Sequence, residues 1–214
     1  SSDVCSSDLL RSPLSVIKGG LEMLGLVYHD QDPEGFEKAL GLTQRTTDQM
    51  LQMVNDLLDI SRLESGQQPL NREPVVVEDL LRGAALPFEL VLNTAQITLD
   101  LMFEPNLPLV SVDLHLMRRT LSNLIDNAIK FTPERGHVRV WARRGRERAP
   151  GAILVGVTDS GPGIAPEDQE RLFQMYQRSG TAAMRKPGSG VGLAFCRLAV
   201  EAHGQRVWVE SVPG

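Results

Sequence analysis

The sequence predicts an α+β chain: a two-helix hairpin, which becomes a four-helix bundle when two copies pair, followed by an α/β sandwich. Two observations lead there. Apolar residues keep a four-and-three spacing from Leu10 to Leu24 and again through 36–64, the mark of helices with a packing seam. Beyond residue 74, stretches that alternate as strands (97–103, 137–144, 152–158) are interleaved with helical patterns, clearest through 121–129.

Composition narrows the function classes. At 214 residues the chain holds one or two domains with room for a sizeable core. A net charge of −5 argues against nucleic acid as the main partner. No apolar run is long enough to span a bilayer, so the expected setting is cytoplasmic, with membrane attachment only through regions upstream. Cys5 and Cys196 make no disulfide framework and fit a reducing compartment. The sequence contains no zinc-type Cys/His cluster and no GxxxxGK[ST] loop.

Residues 1–9, Ser1-Ser-Asp-Val-Cys-Ser-Ser-Asp-Leu9, stand apart. The codons AGT TCA GAC GTG TGC TCT TCC GAT CTN encode all nine, and that string resembles the tail of a sequencing-library adapter. The segment therefore reads as non-native and is set aside from the fold, which also removes Cys5 from the native count.

Residues 10–66 form the expected hairpin. Leu10, Leu14, Ile17, Leu21 and Leu24 make the first seam, with Pro13 tolerable in a first turn. Residues 25–35, with Asp30, Asp32 and Pro33, read as the connection. The second helix runs from about Phe36 to Glu64 on Leu40, Thr43, Thr47, Met50, Val54 and Leu57, widened by Leu51 and Leu58, and Gly66 and Pro69 stop it. Two helices alone make a thin core. Each buried Leu or Ile contributes about 1.5–3 kcal/mol, against roughly 1–2 kcal/mol of ordering per residue. A homodimer through residues 10–66 buries what is left.

Residues 67–73 read as a linker and 74–214 as the second domain. Val75–Val77 suggests a short strand, and 78–93 a helix that Pro87 kinks or shortens, with Leu80, Leu81, Ala84, Ala85 and Phe88 inward. Ile97–Phe103 alternates as a strand, and Pro105 and Pro108 mark a loop. Asp113 is a fair N-cap for a helix from Leu114. His137–Arg144 and Ala152–Thr158 are further strands, and the arginines of 143–148 between them read as a solvated hairpin tip. Gln205–Ser211 reads as a last strand.

Within the helix from Leu114, Leu121, Leu124, Ile125, Ala128 and Ile129 share a buried face, and Asn123, Asn127 and Lys130 share another. Two amide oxygens and one ammonium suit a metal-bound polyphosphate. An amide can ligate Mg²⁺ without adding negative charge beside the phosphates, while lysine neutralises a phosphate oxygen. Strand 153–158 runs into Asp159-Ser-Gly-Pro-Gly-Ile164. A carboxylate there can accept from an exocyclic amino group such as adenine's, and would repel the carbonyl of guanine. Gly161 and Gly163 let backbone approach a ring closely. Residues 179–189 are small and polar and read as a mobile lid. Gly188-Ser-Gly-Val-Gly-Leu193 then opens a helix whose bare N–H groups suit phosphate. No strand immediately precedes those glycines, so a dinucleotide fold is rejected.

The order Asn-x3-Asn-x2-Lys, Asp-x-Gly-x-Gly, Leu172-Phe173…Arg178, Gly-x-Gly-x-Gly-Leu resembles the nucleotide domain of bacterial sensor histidine kinases, a fold shared with gyrase-type, mismatch-repair and heat-shock ATPases. The hairpin motifs Leu10-Arg-Ser-Pro-Leu14 and Val54-Asn-Asp-Leu-Leu-Asp-Ile-Ser-Arg-Leu-Glu-Ser-Gly66 are similar to the phosphoacceptor and second dimerisation helices of the same family. That resemblance covers 10–214. It implies a cofactor set of ATP and Mg²⁺, with Asn127 on the metal, Asn123 beside it, and Lys130 on phosphate. It further implies Phe131 stacking and Asp159 on adenine, with Gly161 and Gly163 lining the pocket. Arg178 would reach the γ-phosphate, and Gly188, Gly190, Gly192 and Leu193 would cradle the phosphates. The implied partner is a response-regulator receiver domain.

Departures accompany the match. Phe131 replaces a commoner Tyr or His, and Met175 and Gln177 are unusual beside Arg178. Ser12 stands where Thr or Asn often orients water for dephosphorylation. The family's acceptor histidine falls at position 8, where this chain has Asp8. None of His29, His115, His137 and His203 replaces it, and all four read as solvated or structural. The expected behaviour is ATP binding without autophosphorylation, with a pseudokinase dimerisation module or a gyrase-type ATPase as alternatives. The family also continues past a Gln205–Ser211 strand into one more, so an unpaired edge there is expected to lower stability.

Overall fold

The computed structural model describes residues 14–24, 33–65, 69–145, 151–174 and 190–213. Two compact units emerge, Ser1–Asp59 and Ile60–Gly214.

In the first unit, helix α1 covers 14–24 and α2 covers Pro33–Glu64, running on past the unit boundary. Leu10 and Pro13 of the expected first seam lie outside the described residues. The two helices meet where side chains are smallest. A methyl group on Gly20 would overlap Thr43 Oγ1 and come within 3.8 Å of the Ala39 carbonyl. Ala39 and Thr43 are buried, and Thr43 Oγ1 donates to Ala39 O at 2.8 Å. The hydroxyl is thereby satisfied inside its own helix. Much of the remaining apolar stripe faces outward in the single chain: Leu14, Leu21, Leu42, Leu51, Val54 and Leu58 are exposed.

The second unit contains two small sheets. β1 (Arg72–Val75) pairs antiparallel with β3 (Val110–Asp113), Arg72 opposite Asp113. β2 (Thr98–Phe103), β4 (His137–Arg144) and β5 (Ile153–Asp159) form the other sheet in the order β2-β4-β5. β2 runs parallel to β4, and β5 antiparallel to it. Helices α3 (Val77–Ala85) and α5 (Leu114–Phe131) supply Leu80, Leu81, Ala84, Leu121, Ile125 and Ala128 to one core with Val138, Val140 and Ala142 of β4.

Two expectations are corrected and a third is met. The first strand ends at Val75, not Val77, because β3 supplies backbone partners only for 72–75; it also takes Arg72 and Glu73 out of the linker. The 78–93 helix is interrupted at Pro87, as expected of a proline lacking its N–H, and divides into α3, a 3₁₀ turn at Leu86–Phe88 and α4 (Glu89–Ala95). Gln205–Ser211 forms no strand. Its end is held otherwise: Ser211 Oγ accepts from Ile164 N at 2.9 Å, and Ser211 O accepts from Gln169 Nε2 at 2.9 Å. β3 and the short α6 (Pro166–Gln169) are additional elements.

Asp113 caps α5 as expected. Its Oδ1 accepts from Leu116 N at 3.1 Å, an arrangement worth about 1 kcal/mol. α7 (Gly192–Ala202) packs on α5, burying Ala194, Phe195, Cys196 and Ala199.

Candidate functional site

Helix α5 organises the site. Leu121, Ile125, Ala128 and Ile129 are buried while Leu124 is half-buried. Asn123, Asn127 and Lys130, on the neighbouring face, are likewise only half-buried and stay within reach of a ligand.

Each end of this polar run meets a different element. At the first, Asn123 Nδ2 donates to Gly192 O at 3.4 Å, which ties the run to the opening turn of α7. Among the described residues no side chain caps that turn, which follows Val191. An anion at its leading N–H groups would meet the positive end of the helix dipole. Gly190 precedes it at φ +67°, a left-handed conformation that costs a side-chain-bearing residue roughly 1–2 kcal/mol. Leu193 sits half-buried in the first turn.

The second meeting point lies where α5 ends. A methyl group on Gly161 would fall 2.6 Å from Asp159 Oδ1 and 3.1 Å from Phe131 O, so only glycine fits between the end of β5 and the end of α5. Gly161 N also donates to Asp159 Oδ1 at 2.8 Å. That bond orients the carboxylate and engages one of its two oxygens. Phe131, whose backbone carbonyl is the one against Gly161, is 39% exposed. Ser160 locks the strand ends beneath: its N donates to His137 O at 3.0 Å, and its Oγ accepts from His137 N at 2.9 Å.

From Asn123 to Phe131 the helix rises about 12 Å. Asn127 and Lys130 lie between the end that meets Gly192 and the end that meets the Asp159 loop. Asp159 and Gly161 converge with Phe131, and Asn123 with Gly192. Gly163 does not join either group. It adopts φ +74° with its α-carbon against the backbone of Val212 and Pro213, so it serves to admit the C-terminal segment. Asp8, Ser12, Arg178 and Gly188 lie outside the described residues. His203 is buried and hydrogen-bonded, a structural histidine, whereas His115 and His137 are exposed.

Three contributors escaped the sequence reading. Asp126 Oδ2 lies 3.6 Å from Lys130 Nζ, a pairing that its i,i+4 spacing could have revealed. Ser160 and the Gln169–Ser211 clamp had no local signal. Among the described residues no group of three His, Cys, Asp or Glu side chains could hold a metal. A divalent ion here would need Asn127 together with oxygens of a bound phosphate, a donor set that suits Mg²⁺.

At Gly190, replacement by alanine is expected to lower the melting temperature by about 2–4 °C and to weaken binding of any anion at α7. Thermal melts with and without nucleotide measure both. An unchanged melt would mean that alanine accepts this conformation.

Comparison with known proteins bears on the same residues. Residues 112–214 match the family described as "Histidine kinase-, DNA gyrase B-, and HSP90-like ATPase". Residues 7–66 match the "His Kinase A (phospho-acceptor) domain". The chain is 34% identical over 212 residues to the "Non-motile and phage-resistance protein" of Caulobacter vibrioides, covering 96% of this chain and 24% of that one. It is 32% identical over 213 residues to "Sensor histidine kinase WalK" of Bacillus subtilis, covering 96% and 33%. The crystal structure of full-length ShkA in complex with AMPPNP superposes with a TM-score of 0.71 at 27% identity, covering 97% of this chain and 43% of ShkA. The chain thus spans about a quarter to a third of the two curated relatives.

Proposed function

The chain belongs to the sensor histidine kinase family, and on that premise we propose that residues 74–214 bind ATP with Mg²⁺. Residues 10–66 pair two copies into a cytoplasmic kinase core. The observation that carries the proposal is the polar run of α5, bounded at one end by Gly192 and at the other by Asp159 and Gly161.

In this reading Asp159, held by Gly161 N, accepts from the adenine amino group through its second oxygen, and Phe131 lies along the ring. Gly163 shapes the same loop by letting the C-terminal segment approach. The amide oxygen of Asn127 is the metal ligand, with Asn123 beside it, and bound Mg²⁺ would screen the phosphate charge. Lys130 turns from Asp126 to phosphate. Backbone N–H groups at Gly188, Gly190, Gly192 and Leu193 hold the phosphates, and Arg178 reaches the γ-phosphate. The chemistry of the family is in-line transfer of that phosphoryl group to a histidine nitrogen, driven by positioning and charge. An aspartate of a response-regulator receiver domain is the next acceptor. Ser12 would orient water for dephosphorylation, with the phosphoryl group passing to water.

Position 8 holds Asp8 where the family's motif has histidine. The chain is therefore expected to bind ATP without phosphorylating itself. Incubation with γ-labelled ATP tests this: label stable to alkali and released by acid would contradict it.

The exposed leucines of α1 and α2 support the homodimer. Leu51 and Leu58 are 59% and 53% exposed in the single chain, both on α2 beside its seam. Light scattering at high micromolar concentration is expected to give twice the chain mass, and a monomer would reject the bundle.

A further inference from the structure

We infer that His203 and Asp113 form a positioning clasp which sets the register of α7 on α5, and so aims the opening turn of α7 at the phosphate positions; the inference rests on the nucleotide reading above. His203 is 5% exposed, and both its ring nitrogens are engaged by backbone. Nε2 accepts from Asp113 N at 2.9 Å. Nδ1 lies 2.7 Å from Ala199 O, which can only accept, so Nδ1 carries the hydrogen and the ring is the neutral tautomer.

Asp113 is a junction. Its backbone N donates to His203, and its carboxylate accepts from Leu116 N and from Asn71 N, each at 3.1 Å. One residue thereby joins the approach to β1, the start of α5 and the end of α7. Two further contacts continue along the antiparallel helix pair. Cys196 Sγ donates to Thr120 O at 3.5 Å, and Asn123 Nδ2 donates to Gly192 O at 3.4 Å. The Arg119 guanidinium lies 4.0 Å over the Phe195 ring between them.

The clasp and the proposed phosphate cradle are opposite ends of one helix, about 16 Å apart. A slip of one residue would move α7 by about 1.5 Å and turn it by about 100°. The N–H groups of Gly192 and Leu193 would then point away from the face bearing Asn127 and Lys130. Nothing in the clasp touches the loop of Asp159 and Gly161. Its loss should weaken the hold on phosphate and spare the hold on the base.

The experiment compares the dissociation constants of Mg–ATP and of adenosine for the unchanged chain, His203→Ala and His203→Gln, with melting curves alongside. His203→Ala is expected to weaken ATP about tenfold and to leave adenosine unchanged. His203→Gln offers an oxygen to Asp113 N and an N–H to Ala199 O, and is expected to restore most of the ATP affinity. Should His203→Ala not fold, His203→Asn, which reaches Ala199 but not Asp113, carries the same comparison. Equal losses for ATP and adenosine, or no loss for either, would overturn the clasp. An unchanged chain that takes up no ATP would overturn the nucleotide reading, and the clasp's role with it.

Discussion

Asp159→Asn is expected to weaken Mg–ATP binding by about tenfold to a hundredfold while leaving the fold intact. The asparagine oxygen can still accept from Gly161 N, as Asp159 Oδ1 does at 2.8 Å, so the loop keeps its shape. What changes is the free end of the side chain, which becomes an NH₂ group facing the adenine amino group, donor against donor. A buried donor left without an acceptor costs more than the average hydrogen bond contributes. The same NH₂ can donate to a ring carbonyl, so the preference for ATP over ITP should collapse or reverse. Titration of both nucleotides against the two proteins checks this. A variant that retains both its ATP affinity and its preference would remove Asp159 from base recognition.

The double substitution Asp8→His with Leu9→Glu is expected to turn a chain without self-phosphorylation into one that carries acid-labile, alkali-stable phosphate. All other parts proposed for transfer are present in the sequence: Asn127 for the metal, Lys130 for phosphate and the glycines of 188–192 for the cradle. Only the nucleophile at position 8 and the acidic residue that follows it in the family's motif, where this chain has Leu9, are missing, and absence of the nucleophile costs the whole reaction, not a fraction of its rate. Appearance of label in the double variant, and its disappearance when Asn127→Ala is added, is the expected pattern. A double variant that binds ATP yet takes no label would favour an ATP-dependent dimerisation module.

Much of the site was legible because its signals are local. Asp113 before an apolar helical period announces α5, and its carboxylate does cap Leu116 N. Asp159 and Gly161 are two residues apart and make their bond within the loop. Non-local pairing was not legible. β3 follows two prolines and carries only four residues; its partner β1 lies far back in the chain, and a single window contains neither the partner nor the register. Val75–Val77 misled because β-branched residues favour a strand wherever a partner exists, and the ladder stops at Val75 opposite Val110. Gln205–Ser211 misled in the same way: it alternates, but its end bonds to Ile164 and Gln169 instead of entering a ladder. The contact of Asn123 with Gly192 spans 69 positions. The family resemblance implied only that both residues serve one nucleotide; helical spacing implied neither that nor the contact.

Every role proposed for these residues requires one nucleotide held between α5 and the elements at its two ends. Calorimetric titration of the folded chain with ATP, with and without Mg²⁺, tests this most directly. One site per chain is expected, tight with the metal and much weaker in EDTA, and lost in Asn127→Ala. No heat of binding from well-folded protein, or uptake indifferent to both magnesium and Asn127, would contradict it.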